Sequence, residues 1–286
     1  MILREQAGLD LQTLVPTSDG ESKSAFWATD RTGTVSVLKV DRSGSAQTLS
    51  RMRALDSVLA RLRDRGYPAP RFHAIGEVPG LVFWLQQRMP GSPLDGRHER
   101  LDMAGLLRLN DAQAGLGAGI AQHGWPDLIA QTLAQGGDGY CLHATLQSTP
   151  GMQELLGILR KIGDRCCAAI PAGHDFVHFD FTLANLLGER LDDQTTITGV
   201  IDINPPLLAG DRAFDLATLL FYLYDHDDLR TRLRERILEL TDPGAARAYL
   251  AHMVLRQVEW SVRHYPTAAT TRHHLHLAHL VVTDIR

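Results

Sequence analysis

Apolar residues recur along this chain with two different periods, and the change of period marks its organisation. Between residues 44 and 66, Leu49, Met52, Leu55, Leu59 and Leu62 fall at steps of three and four. That spacing lines one face of a helix, and Gly66 with Pro68 ends it. On either side the signal is short and strand-like. Residues 24–29 and 34–40 are β-type runs joined by Asp30-Arg31-Thr32-Gly33, a cluster with turn chemistry, so a hairpin is predicted. Residues 71–75 and 81–87 predict two more strands around Val78-Pro79-Gly80. The order is strand, strand, helix, strand, strand, and Met89-Pro90-Gly91-Ser92-Pro93 then breaks the pattern.

After this break the period is mostly helical. Helices are predicted over 103–122, where Gly115, Gly117 and Gly119 weaken the pattern, and over 152–170. From Phe176 to Ile203 the chain changes to short apolar runs such as Leu186-Leu187 and 197–203. Ala213, Leu216, Ala217, Leu220, Phe221 and Tyr224 then form one helical stripe. Further helices are predicted over 228–240, 244–262 and 271–282. The reading is an α+β chain with a small β-rich N-terminal domain, residues 1–88, and a larger, mainly helical C-terminal domain, residues 89–286.

Composition narrows the class. With 286 residues, 44% of them hydrophobic, and a net charge of -4, the chain can bury one large core or two smaller ones, and disorder is excluded. No unit repeats, and no apolar run approaches the ~18 residues that span a bilayer. The first residues, Met1-Ile2-Leu3-Arg4-Glu5-Gln6, carry no charged-then-apolar signal segment, so a cytoplasmic protein without a membrane partner is expected. Cys141, Cys166 and Cys167 are odd in number and lack C-x-x-C spacing, which suggests neither a disulfide framework nor a zinc site. Charge is uneven: residues 1–95 hold 12 Lys and Arg against 10 Asp and Glu, the remainder 17 against 23. An acid excess in the larger part disfavours nucleic acid and favours a cationic ligand. Lysine occurs only at 23, 39 and 161, so each one can be weighed singly.

The informative stretch is His178-Phe179-Asp180-Phe181-Thr182-Leu183-Ala184-Asn185, followed by Ile201-Asp202 at the end of an apolar run. It has the form H-x-D-x-x-x-x-N and then a second Asp, the arrangement of kinase catalytic loops. Phosphoryl transfer needs a carboxylate near the attacking hydroxyl and oxygen ligands that hold Mg²⁺ against the nucleotide phosphates. Asp180 suits the first role, Asn185 and Asp202 the second, and His178 reads as a loop organiser. A purely structural account has Asp180 cap a turn and Asp202 end a strand, but four residue types must then coincide with the two-part layout. Lys39, in Val35-Ser36-Val37-Leu38-Lys39-Val40, stands where a strand lysine reaches the α- and β-phosphates. Its helix carboxylate partner would be Asp56 or, less centrally placed, Asp64.

With these residues the chain resembles the aminoglycoside phosphotransferase family, which shares the bilobal fold of protein kinases. The resemblance covers nearly the whole length: Val37-Leu38-Lys39, 66–71, Gln87-Arg88-Met89-Pro90-Gly91, the loop at 178–185, and Gly210-Asp211-Arg212-Ala213-Phe214-Asp215-Leu216-Ala217. It implies ATP- or GTP-dependent phosphorylation of a hydroxyl, with Asp180 as catalytic base, Asn185 and Asp202 on Mg²⁺, and Lys39 on phosphate. It further implies that backbone atoms near Gln87 and Met89 hold the nucleobase and that Asp211 and Asp215 buttress the catalytic loop. The chain departs from the family pattern in three places. Phe179 stands where the family commonly has Gly, and Phe181-Thr182-Leu183 replaces a His-Pro pair. The phosphate-covering loop, 18–24, holds one glycine, so the hydroxyls of Ser22 and Ser24 would supply contacts. Ile203-Asn204-Pro205-Pro206 follows Asp202 where an aromatic and an acidic residue are common.

A protein kinase would need a long activation segment after the metal Asp and a basic residue beside the catalytic one. Only 203–210 separate Asp202 from Asp211, and Phe179 takes the place of the Arg, so a small hydroxyl-bearing substrate is expected. Asp225, Asp227, Asp228, Glu235, Glu239 and Glu259 could line a cation pocket, with Asp225, Asp227, Asp228 and Glu259 as the chosen candidates. The expectation is resistance through phosphorylation of a cationic antibiotic, an aminoglycoside or a cyclic peptide of the capreomycin and viomycin type, the similarity to the latter lying in residues 20–40 and the catalytic loop. A choline, homoserine or fructosamine type kinase is the small-molecule alternative. A nucleotide-binding pseudokinase would have lost Asp180, Asn185, Asp202 or Lys39, and all four are present. Gly115-Leu116-Gly117-Ala118-Gly119 follows no strand and is not a dinucleotide fingerprint. The cluster His273, His274, His276 and His279 lacks a completing carboxylate, so no structural metal is expected. Oligomeric state stays open.

Overall fold

The computed structural model describes residues 8–17, 24–42, 45–95, 101–117, 124–191, 194–203 and 208–286. In chain order its elements are β1 (Leu11–Pro16), β2 (Ala25–Asp30), β3 (Val35–Asp41), α1 (Ala46–Asp64), β4 (Phe72–Val78), β5 (Leu81–Gln87), β6 (Ser92–Pro93) and α2 (Met103–Ala112). Then come α3 (Trp125–Gln135), α4 (His143–Ser148), α5 (Met152–Cys166), β7 (Asp175–Val177), β8 (Leu186–Leu191), β9 (Gln194–Val200) and β10 (Leu208–Gly210). The last are α6 (Ala213–Tyr222), α7 (Asp227–Leu240), α8 (Pro243–His264) and α9 (Ala269–Ile285).

The chain packs as two compact units, Met1–Ala112 with Ala184–Leu207, and Gln113–Leu183 with Leu208–Arg286. These are not the consecutive segments 1–88 and 89–286. The segment after residue 183 returns to the first unit because β8 pairs antiparallel with both β6 and β9, and Leu94 N–H bonds the Leu186 carbonyl. Strand pairing, which chain order does not reveal, therefore carries Asn185 and Asp202 into the unit that holds Lys39.

In the first unit an antiparallel sheet has the order β1-β2-β3-β5-β4. The 30–33 turn forms as its chemistry predicts: Asp30 Oδ1 accepts from the backbone N–H groups of Thr32 and Thr34, and Gly33 takes a φ of 83° that disfavours a side chain. Strand β3 alternates strictly, burying Ser36, Leu38 and Val40. Lys39 consequently lies on the opposite face from the cluster of Ala28, Leu38, Val40, Val78, Phe83 and Leu85. Helix α1 starts where Ser45 accepts from Thr48 N–H and buries Leu49, Met52, Leu55, Val58, Leu59 and Leu62. Strand β1 was not predicted. It is an edge strand whose residues after Leu11 are exposed, so no alternation of buried positions marks it.

The second unit is helical apart from the short pair β7 and β10. The 213–224 stripe identifies α6, but the helix is buried on nearly every side, including Phe214, Asp215, Thr218 and Leu219. Neighbours α7, α8 and α9 all pack on it, so the polar residues between the stripe positions are interior. The first predicted helix stops early, at Ala112. Gly115, at a φ of 66°, breaks it, and Asp175 Oδ1 accepts the Gly115 N–H. Helices α3 and α4 were not predicted. Among the described residues no helix is long and apolar enough to cross a membrane.

Candidate active site

In the first unit, Lys39 Nζ meets Asp202 Oδ1 at 2.6 Å, a pair drawn from residues 163 apart in sequence. The lysine is held by its strand, with Trp84 of β5 opposite on one side and Ala25 of β2 on the other. Asp202 follows β9 and has a φ of 62°, a left-handed conformation that is uncommon outside glycine. Such a conformation costs about 1–3 kcal/mol and persists where surrounding contacts over-determine it. Asn185 ends a 3-10 turn, Leu183–Asn185, and its carbonyl accepts from Ile201 N–H at 2.9 Å. Because Leu186 pairs with Val200, Asn185 stands opposite Ile201, beside Asp202. Val200 N–H bonds the Pro68 carbonyl and so ties the end of β9 to the segment that follows α1.

Of the other nucleotide candidates, Asp56, Ser24, Gln87 and Met89 belong to this same unit. Asp56 is half-buried on α1, where its charge acts on Arg63 one face-repeat later, while the ammonium of Lys39 pairs with the strand-end Asp202. Ser24 precedes β2, and its carbonyl accepts from Val40 N–H. Ser22 lies outside the described residues. Gln87 N–H is committed to the Arg71 carbonyl, and its side-chain Oε1 accepts from Arg71 N–H. Met89 packs its Cβ where a side chain on Gly199 would collide with it, at 2.9 Å, so Gly199 is needed for this approach.

In the second unit the 178–182 loop leaves β7 under tight control. Asp215 on α6 is fully buried and accepts from three donors: His178 N–H at 2.7 Å, Phe179 N–H at 2.9 Å and Gln113 Nε2 at 2.6 Å. Burial pushes its carboxyl above the usual range, and His178 with these hydrogen bonds opposes that. Asp180 N–H donates to His178 Nδ1, and Thr182 N–H to the Asp180 carbonyl, which closes the turn. His178 is thus a loop organiser through its ring nitrogen. Phe179 takes a φ of 71°, the region that suits glycine. Its ring stacks on Phe214 at 5.2 Å and meets His252 and Tyr140 edgewise, contacts that hold the strained residue in place.

Arg256 on α8 was not anticipated. Its Nη2 donates to Asp180 Oδ1 at 2.8 Å, its Nη1 to the Phe179 carbonyl at 2.5 Å, and its guanidinium lies 4.9 Å from the Phe179 ring centre. No sequence signal separates it from the surface arginines of other helices, because its partners are 76 and 77 residues away. Asp211 supports the second unit more remotely: Oδ1 accepts from Ala213 N–H, and Oδ2 from the buried Tyr249 hydroxyl, which itself accepts from Trp125 Nε1. Burial raises the Asp211 carboxyl, and the hydrogen bonds lower it in part.

Three of the four acidic residues chosen for a cationic substrate, Asp225, Asp227 and Glu259, have protein partners. Asp225 meets His226, and Asp227 meets Arg230 at 2.6 Å. Asp227 and Asp228 lie in the first turn of α7, where negative charge complements the helix dipole. Glu259 is only 1% exposed and is engaged by Arg263 at 2.8 Å and by the Thr145 hydroxyl at 2.9 Å. In the histidine cluster, His274 is buried and shares a hydrogen bond with Ser261.

The chain is similar in fold to solved phosphotransferases along its length. A thermostable mutant of aminoglycoside phosphotransferase APH(4)-Ia, in ternary complex with ADP and hygromycin B, superposes with a TM-score of 0.71 at 18% identity, covering 99% of this chain and 97% of the other. The GDP complex of aminoglycoside 2'-phosphotransferase-IIIa gives 0.64 at 15% identity, with 99% and 97% covered. Aminoglycoside phosphotransferase APH(3'')-Id from Streptomyces rimosus gives 0.52 at 20%, with 89% and 96% covered. At these identities the likeness establishes the fold, which is α+β and protein-kinase-like. No sequence among curated proteins matches significantly. The family model described as the phosphotransferase enzyme family matches residues 13–251. Since that match runs from the edge strand β1 into the long helix α8 and takes in Lys39, the 178–185 loop and Asp202, this chain belongs to the phosphotransferase enzyme family.

Proposed function

We propose that the protein transfers the γ-phosphoryl group of ATP, or of GTP, to a hydroxyl of a cationic antibiotic, an aminoglycoside or a capreomycin-type cyclic peptide, in the cytoplasm, and so confers resistance. The observation that carries the reading is the 2.6 Å pair of Lys39 and Asp202, with Asn185 next to it. One cation and two oxygen-bearing side chains are the donor set that a magnesium triphosphate requires. Mg²⁺ keeps waters and takes substrate phosphate oxygens, so two protein ligands suffice. When bound, the nucleotide supplies the phosphoryl group and the metal neutralises charge on its oxygens. Lys39 would hold the phosphates, Asn185 and Asp202 the metal, and Ser22 and Ser24 would add hydroxyl contacts. The backbone between Gln87 and Met89 would hold the base, through carbonyl oxygens at Gln87 because its N–H is already bonded. Asp180 would orient the acceptor hydroxyl and take its proton. The related fold of a solved hygromycin B complex supports an antibiotic acceptor.

A small-metabolite kinase is the second reading. It is favoured by the internal partners of Asp225, Asp227 and Glu259, which already satisfy the carboxylates offered to a cationic substrate. One panel separates the two. Aminoglycosides, capreomycin, viomycin, choline, homoserine and a fructosamine are incubated with protein, Mg²⁺ and ATP or GTP and followed by mass spectrometry, with Asp180→Asn as control. A single-phosphoryl mass gain on an antibiotic, lost in the variant, is expected. A gain confined to a metabolite establishes the second reading, and no gain with any compound removes the antibiotic reading in favour of a metabolite outside the panel or a nucleotide-binding pseudokinase.

A further inference from the structure

We propose that Arg256 is a positioning residue for phosphoryl transfer, acting on the acceptor through Asp180; this rests on the assignment of Asp180 as the residue that meets the hydroxyl. One guanidinium grips two successive residues of the loop. It takes the backbone carbonyl of Phe179 and the carboxylate of Asp180, and it covers the Phe179 ring. Phe179 is the residue that needs holding, since it occupies a left-handed conformation without being glycine. A peptide in that region can swing, and with it the direction in which the next side chain leaves the backbone. Asp215 anchors the N–H of Phe179, and Arg256 anchors its carbonyl, so the peptide groups on both sides of this residue are fixed.

The geometry requires arginine in particular. A planar fork can donate along two directions at once, whereas the single ammonium of lysine must choose between carbonyl and carboxylate. The side chain is mostly buried, at 18% exposed, against 37% for Asp180. Its charge is therefore spent inside the protein, while the carboxylate remains accessible to a substrate. Arg256 also belongs to a polar row on the inner side of α8, one turn after His252 and one turn before Glu259, and both of those neighbours are buried. The helix around this row is buried over most of its length, which places the guanidinium where neighbouring packing limits its rotamers. No basic residue adjoins Asp180 in sequence. The tertiary structure supplies one from 76 residues further along the chain.

The test measures turnover of the acceptor identified by mass spectrometry in Arg256→Ala and Arg256→Lys. Loss of a correctly oriented base is expected to lower kcat on the order of 10–100-fold in Arg256→Ala. The KM for nucleotide should stay within about twofold, because the Lys39, Asn185 and Asp202 set is untouched. Arg256→Lys should recover part of kcat, and millimolar guanidinium should raise the kcat of Arg256→Ala without affecting Arg256→Lys. A merely structural residue would show neither the rescue nor the split between kcat and KM. Unchanged kcat in Arg256→Ala, or a loss that guanidinium does not relieve in a variant with wild-type circular dichroism, overturns the proposal. The grip itself is read without turnover by a thermal melting cycle of Arg256→Gln, Asp180→Asn and the double variant. Melting shifts that fall short of additive support it, and strictly additive shifts refute it. Wild-type protein that phosphorylates nothing would refute the functional reading, while the melting cycle would still decide whether Arg256 holds Asp180.

Discussion

Acidification should weaken this fold through one buried imidazole. His252 has no solvent exposure, and neither ring nitrogen has a hydrogen-bond partner. It is surrounded by the rings of Phe179, Phe214 and Tyr140 and lies one turn from Arg256. Burial first, and the nearby guanidinium second, push its pKa down to about 3. In the unfolded chain the same side chain titrates near its ordinary value of 6.5. The unfolded state therefore binds an extra proton throughout the interval from about 6.5 to about 3, and stability must fall as pH falls across it. One proton's difference changes the unfolding equilibrium about tenfold per pH unit, so moving from pH 7 to pH 5 removes about 2 kcal/mol, a sizeable share of a typical ~5–15 kcal/mol. The assay is urea unfolding at both pH values for the wild type and for His252→Leu, which has a similar volume. Replacing an unpartnered imidazole by an apolar group should leave stability at pH 7 nearly unchanged. At pH 5 the variant should be about 2 kcal/mol more stable relative to the wild type than it is at pH 7. An identical pH dependence in the two proteins would refute the argument.

Three further outcomes follow from the geometry. Asp215→Ala strands the backbone donors of His178 and Phe179 and the Gln113 amide, at about 1–3 kcal/mol for each buried donor left unpaired, and urea titration should find a total loss of at least about 3 kcal/mol. Gly173→Ala forces a Cβ into the Gly210 backbone from a φ of 69°; a melting temperature within a degree or so of wild type would contradict that clash, since about 2 kcal/mol or more is expected. Lys39→Met removes the cation of the proposed phosphate site from a half-buried position opposite the core face; transfer should fall on the order of 100-fold while the melting temperature barely moves, and residual transfer within tenfold of wild type would argue against the proposed role.

What the amino-acid sequence determined by itself was everything governed by contacts a few residues apart. Helix α1 was legible because Leu49 to Leu62 repeat at the helical period and Gly66 with Pro68 ends the run, and the β2–β3 hairpin because Asp30 and Gly33 carry their own turn chemistry. The 178–185 motif and Asp202 pointed to phosphoryl transfer because that chemistry fixes residue types and spacings along a short stretch. Edge strand β1 escaped, since exposed residues after Leu11 leave no pattern of burial, and the stripe on α6 concealed that Asp215 between its positions is interior. Tertiary structure alone decided the partners. It gave Lys39 the strand-end Asp202 where the chain had suggested Asp56, returned Asn185 to the first unit through the pairing of β8 with β9, and brought Arg256 to Asp180. Each of these contacts joins residues that are separated by many tens of positions or depends on which strands pair. A charge on a helix reads the same in sequence whether it faces water or a carboxylate from elsewhere, so only the packed path of the chain determines which groups meet.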